Sequence, residues 1–117
     1  YKCKIMQNSM QAERLKILSE LVETEPEEPF NRYALAMEYI GKDTAEALKH
    51  LEVLLIDFPE YLATYYQAAA IYAEQDEEEK AAAVFEKGII LAAKQGNDKI
   101  LKELKGAFKM YKDEWEM

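Results

Sequence analysis

The chain repeats itself at a spacing of 33 to 34 residues. Arg32-x-x-Leu35-Ala36-x-x-Tyr39 returns 33 residues later as Tyr65-x-x-Ala68-Ala69-x-x-Tyr72. Ala47-x-x-x-Leu51 returns 34 residues later as Ala81-x-x-x-Phe85, and Pro26-Glu27 returns after 33 as Pro59-Glu60. The one-residue difference places a shorter hairpin turn in the first unit. A unit of this length cannot enclose a core by itself, so each must cover its apolar face with a neighbour.

The units are helical. The chain has sixteen alanines, the best helix formers, and its three prolines and Gly41 fall between apolar-periodic stretches. Six helices are expected. The first runs from about Ser9 to Thr24, with Leu15, Leu18, Leu21 and Val22 on one face. The second spans Pro29 to Ile40. The third follows Asp43, where Asp43-x-x-Glu46 has the form of a capping box, and ends near Asp57. The fourth covers Leu62 to Gln75. The fifth follows Asp76 and carries Glu77, Glu78 and Glu79 in its first turn, favourable against the helix dipole. Gly96 suits a left-handed end for it. The sixth follows Asn97, with Leu101, Leu104, Phe108, Tyr111 and Trp115 as a narrow stripe. Residues 1–8 have no such face and read as a flexible tail. Links this short force antiparallel neighbours.

These positions resemble the tetratricopeptide repeat, in which W-x2-L-G-x2-Y is followed by A-x3-F and then Pro. Residues 62–95 match over a full repeat, with Ala93 where the family has proline; residues 29–61 match with Arg32 in the aromatic's place. Residues 9–26 parallel the second half of a repeat, and 97–116 resemble a first half acting as a cap. The resemblance, to a small bacterial-type member, implies a single all-α domain over 9–117: antiparallel helix hairpins stacked in a right-handed superhelix. Ala36, Ala69, Ala47 and Ala81 are expected where helices of one hairpin approach closely, and Tyr39, Tyr72, Leu51 and Phe85 between hairpins. Gly88 and Gly106 are both read as close helix contacts.

The resemblance also implies a concave groove lined by the first helix of each pair. Carried over, its residues are Phe30, Tyr33, Ala34, Met37, Ile40 and Gly41, then Ala63, Tyr66, Gln67, Ala70, Ala73 and Glu74. The sixth helix would add Lys99, Lys102, Glu103 and Lys109. The partner-binding set expected from these is Phe30, Tyr33, Met37, Tyr66, Gln67, Ala70, Lys99 and Lys102. Chaperone-binding members clamp a carboxylate with Lys and Asn at places held here by Tyr33, Met37 and Gln67; only Lys99 matches. The bland alternative is that Phe30, Tyr33 and Met37 pack under the first helix or against a second copy.

Charge narrows the partners. The net charge is -8, yet residues 97–117 hold five bases and five acids. An acidic chain repels phosphate backbones and anionic membranes, which argues against nucleic-acid and membrane partners. The lysines of the last helix are the feature an acidic peptide would use. One cysteine, Cys3, and one histidine, His50, leave no cysteine cage or His relay. His50 is expected at the surface or half-buried. The acidic run from Glu74 to Glu79 lacks the donor spacing and turn glycine of a calcium loop. No phosphate loop or nucleophile elbow occurs. The reading is therefore a cytoplasmic, non-enzymatic protein–protein interaction module without metal or cofactor: an adaptor, scaffold or chaperone-like subunit holding a peptide or helix in its groove. The alternative is a structural, self-assembling unit, as a homo-oligomer or a fragment of a longer array.

Overall fold

In a computed structural model, the backbone is described for residues 2–117 and the side chains for residues 10–117. Among the described residues there are six helices and no strand: α1 (Lys2–Thr24), α2 (Pro29–Tyr39), α3 (Thr44–Asp57), α4 (Ala63–Glu74), α5 (Glu78–Gln95) and α6 (Asp98–Trp115). The helix expected from Ser9 is thus drawn from Lys2. The tail expected at residues 1–8, with Cys3, lies outside the residues whose side chains are described. Among the described residues, no helix is long and apolar enough to cross a membrane.

Local chemistry sets the helix ends. Pro29 opens α2, where its missing N–H costs nothing, and the Glu28 carboxylate accepts from Phe30 N at 3.3 Å. Asp43 Oδ1 accepts from Glu46 N at 3.1 Å to start α3. Asn97 Oδ1 does the same for Ile100 N, at 3.1 Å, to start α6. Glu77 stands just before α5 rather than in its first turn, which holds Glu78 and Glu79.

The two hairpin turns differ in how they reverse. After α2, Gly41 takes φ +84°, and Asp43 N bonds Tyr39 O at 2.8 Å. After α4, a non-glycine residue does this work: Asp76 has φ +60°, while Glu77 N bonds Tyr72 O at 2.9 Å. An aspartate tolerates the left-handed region better than most side chains. Gly96, at φ +69°, ends α5 the same way, with Asn97 N bonded to Ala92 O at 2.9 Å.

The chain divides into two compact units, one ending at Phe58 and the other running Pro59–Met117. In the first, α2 packs against both α1 and α3. Leu35, Ala36, Ala47, Leu51 and Leu54 are its buried core. Arg14 on α1 ties to Glu38 on α2 through Nε–Oε1 at 2.8 Å. In the second, α5 packs against both α4 and α6. Leu62, Ala69, Phe85, Ala92, Leu104, Ala107 and Phe108 form one buried cluster. The Phe85 and Phe108 rings stack at 5.1 Å.

The paired alanines are where close packing requires them: Ala36, Ala47, Ala69 and Ala81 are all fully buried. The two glycines read together separate. At Gly88 a Cβ would lie 2.7 Å from Tyr65 Cβ, so the helices meet there. At Gly106 a Cβ would meet nothing within 4 Å, which corrects the expectation of a close contact.

Candidate functional site

In the first unit, Phe30, Tyr33 and Met37 follow one another at three- and four-residue spacing along α2, which puts them on one face. Phe30 is 57% exposed, whereas Tyr33 and Met37 are half-buried. Glu38 next to them is held below its ordinary pKa of 4.5, first by the hydrogen bond from Arg14 and further by the charges of Arg14 and Lys42.

Behind that face lies a polar cluster the sequence did not reveal. Arg32 Nη1 reaches His50 Nδ1 at 2.9 Å, and His50 Nε2 lies 3.4 Å from Glu46 Oε1. The Tyr39 ring stacks on the imidazole at 5.9 Å. Tyr39, expected as filler between hairpins, thus closes over a histidine within its own unit.

In the second unit, Tyr66 is 38% exposed on α4, with Gln67 and Ala70 half-buried beside it. Ala73, carried over as a groove residue, is buried instead. Lys99 and Lys102 are exposed on α6, one turn apart, and form no ion pair among the described residues. Lys109, by contrast, pairs with Asp113 at 3.0 Å on its own helix.

Tyr111 belongs beside Tyr66, although sequence reasoning placed it only in the apolar stripe. Its ring packs 6.0 Å from Phe85 and 6.4 Å from Trp115. The Glu74 carboxylate is among the groups that act on its hydroxyl. Burial first, then Glu74, Tyr66 and Glu114, raise the phenol above its ordinary 10.0. The signal was the tyrosine itself: a stripe position that keeps a hydroxyl needs a polar partner at its far end. An exposed phenol, a second phenol and a carboxylate are thus gathered within this unit. They offer ring surface and hydrogen-bonding groups, the means of gripping another protein. Among the described residues no group of three or more His, Cys, Asp or Glu is placed to hold a metal ion.

No family model matches the chain, and no curated protein matches it. Solved structures do. The solution NMR structure of a tetratricopeptide repeat domain protein from Salinibacter ruber is 36% identical, with a TM-score of 0.69 over 74% of this chain and 89% of that one. A crystal structure of a tetratricopeptide repeat domain protein from the same organism is 35% identical, with a TM-score of 0.69 over 73% of this chain and 97% of that one. With the doubled 33- to 34-residue register and the six helices, this similarity assigns the protein: the chain belongs to the tetratricopeptide repeat family.

Proposed function

We propose that the chain is a protein-interaction module that holds a partner segment on its first-helix faces. Phe30, Tyr33 and Met37 serve on α2; Tyr66, Gln67 and Ala70 serve on α4, with Lys99 and Lys102 from α6. Fold alone does not carry this reading, because a fold does not imply a function. The observation that supports it is the exposure of Phe30, at 57%, and Tyr66, at 38%, on helices whose buried faces are already filled by Leu35, Ala36, Ala68 and Ala69. Aromatic side chains left at the surface lose little entropy on binding and bury a large area.

The test is a Tyr33→Ala, Tyr66→Ala variant, assayed for capture of partners from a lysate of the source cells and then for affinity to the captured protein. The reading expects a loss of at least about 2 kcal/mol with the thermal midpoint nearly kept. If the ligand is acidic, affinity also falls with salt and with Lys102→Glu. Unfolding of the double variant, or a change from dimer to monomer by sedimentation with no partner captured, makes these residues core or self-interface. Both outcomes overturn the binding reading in favour of a structural, self-assembling unit.

A further inference from the structure

A second surface in the Pro59–Met117 unit has the chemistry of a cation receptor. The start of α5 and the end of α6 enclose an open cleft of about 480 Å³. Its apolar part is Ala82, Phe108 and Trp115, with the Phe108 and Trp115 rings edge to face at 6.5 Å. Around it stand four carboxylates, Glu78, Glu79, Glu86 and Glu116. All four are exposed, and none forms an ion pair among the described residues. The ion pairs described in this unit, Glu77 with Lys80 at 3.9 Å and Lys109 with Asp113 at 3.0 Å, involve neither the cleft's acids nor its lysine. The cleft shares no residue with the faces proposed above for partner binding.

One lysine already shows what the rings accept. Lys112 Nζ lies 4.3 Å from the centroid of Phe108, over the ring face. That is a cation–π contact, made by an exposed side chain that also lines the cleft. The lysine thus occupies, from inside the molecule, ring surface that a guest cation would use. Aromatic faces beside unpaired carboxylates favour a guanidinium over an ammonium. A guanidinium is planar and weakly hydrated, so it stacks on a ring while its N–H fork bonds a carboxylate.

We propose that the α5–α6 cleft is a docking site for an arginine-bearing basic segment of a partner protein. The guest arginine stacks on the half-buried Trp115 and on the face of the otherwise buried Phe108 that Lys112 now covers, and pairs with the surrounding glutamates, while Lys112 swings off the ring into solvent. Charge complementarity selects this occupant: an acidic segment would meet four carboxylates and one lysine, and an uncharged apolar segment would leave those carboxylates against it without counter-charge.

Trp115 is the chain's only tryptophan, so its emission reports the cleft directly. The probe is the capped hexapeptide acetyl-(Ala-Arg)3-amide, titrated into the whole chain, beside the lysine and glutamate versions. The proposal expects a saturable change in emission with the arginine peptide, weaker binding of the lysine peptide and no binding of the glutamate peptide. Glu86→Gln with Glu116→Gln should raise the half-saturation concentration at least about fivefold, and added salt should raise it too. Lys112→Ala should lower it, because the internal competitor is gone. Glu25→Gln with Glu27→Gln, which removes the same charge from the other unit, should leave it unchanged. Circular dichroism shows that each variant keeps its helices. An absent or unsaturable response overturns the proposal. So does equal weakening by the Glu25, Glu27 pair, which would mean attraction by net charge alone, or tighter binding of the glutamate peptide. Weaker arginine binding in Lys112→Ala also overturns it.

Discussion

Arg32 donates to His50 Nδ1 at 2.9 Å, and this fixes the protonation of the imidazole. A guanidinium has no acceptor, so Nδ1 must accept and the ring proton sits on Nε2, facing Glu46 Oε1 at 3.4 Å. A protonated His50 would lose that acceptor and set a second cation against Arg32. Burial first, then the Arg32 charge and more weakly Lys49, hold the pKa of His50 below its ordinary 6.5, against the upward pull of Glu46.

Just below neutral pH, stability should therefore depend on the protonation of this ring. The unfolded chain takes up its proton near 6.5, before the folded chain does. The contribution is whole above about pH 6.5 and is lost as pH falls from there through the folded-state pKa. Glu38, also depressed, loses its contribution only at lower pH, below its unfolded value of 4.5, so the two windows separate. As His50 is the only histidine, its proton NMR titration can be read unambiguously. A midpoint below 6.5 is expected, moving upward in Arg32→Met, with a shallower fall of thermal midpoint on acidification. A wild-type midpoint at or above 6.5 contradicts the arrangement.

The two helix-interior glycines should respond to alanine with opposite signs. In Gly88→Ala the new methyl would stand 2.7 Å from Tyr65 Cβ and 3.3 Å from Leu104 Cδ1. Tyr65 cannot retreat easily, since its hydroxyl donates to Pro59 O at 2.6 Å. Overpacking of this kind costs about 1–3 kcal/mol. In Gly106→Ala the methyl meets nothing within 4 Å, so only the helix preference remains, a gain of about 0.5–1 kcal/mol. Urea unfolding midpoints measure both; two changes of the same sign would refute the assignment of the contact.

The register, the helix order and the close-packed alanines were legible because they follow from spacing, which the sequence displays directly. What it did not display is how a departure from the repeat is absorbed. In the second unit Tyr65 packs over Gly88; in the first, Arg32 and Leu54 hold the corresponding places. Leu54 is fully buried and fills that position with its own bulk, and the longer arginine turns to His50. Neither substitution explains itself alone. Gly106 misled for the complementary reason: glycine signals a close approach only when another backbone or side chain is there, and none is. The cleft of Phe108 and Trp115 was read as part of a covering stripe, since spacing identifies a face without showing how much of each ring stays open.

Capping should be worth more at α6 than at α5. Asn97→Ala removes the acceptor for Ile100 N and should cost about 1 kcal/mol. Glu77 makes no side-chain cap bond to α5, and its ion pair with Lys80, at 3.9 Å, is exposed. Glu77→Ala should therefore stay within about 0.5 kcal/mol of the parent. Chemical denaturation of the two variants side by side would show the difference; equal losses would mean the Asn97 bond contributes little.

The sixth helix should be indispensable to the second unit. Leu104, Ala107 and Phe108 are buried against α5, and Phe108 stacks on Phe85, which is fully buried. Tyr111 covers the same phenylalanine from 6.0 Å. Ending the chain after Gly96 would strip these contacts at once. Uncovering a phenylalanine side chain alone forfeits about 1.5–3 kcal/mol, a large fraction of the stability of an ordinary domain. The side of α6 turned away from this core is polar, and the helix carries five lysines and four acids. The truncated chain is expected to aggregate, or to keep helical circular dichroism while losing a cooperative thermal transition. Phe108→Ala in the full chain separates packing from mere length, since it keeps α6 and should still cost about 3–5 kcal/mol. A soluble, cooperatively folding truncation, together with a Phe108→Ala variant as stable as the parent, would show that α6 is an appendage and not the cover of this core.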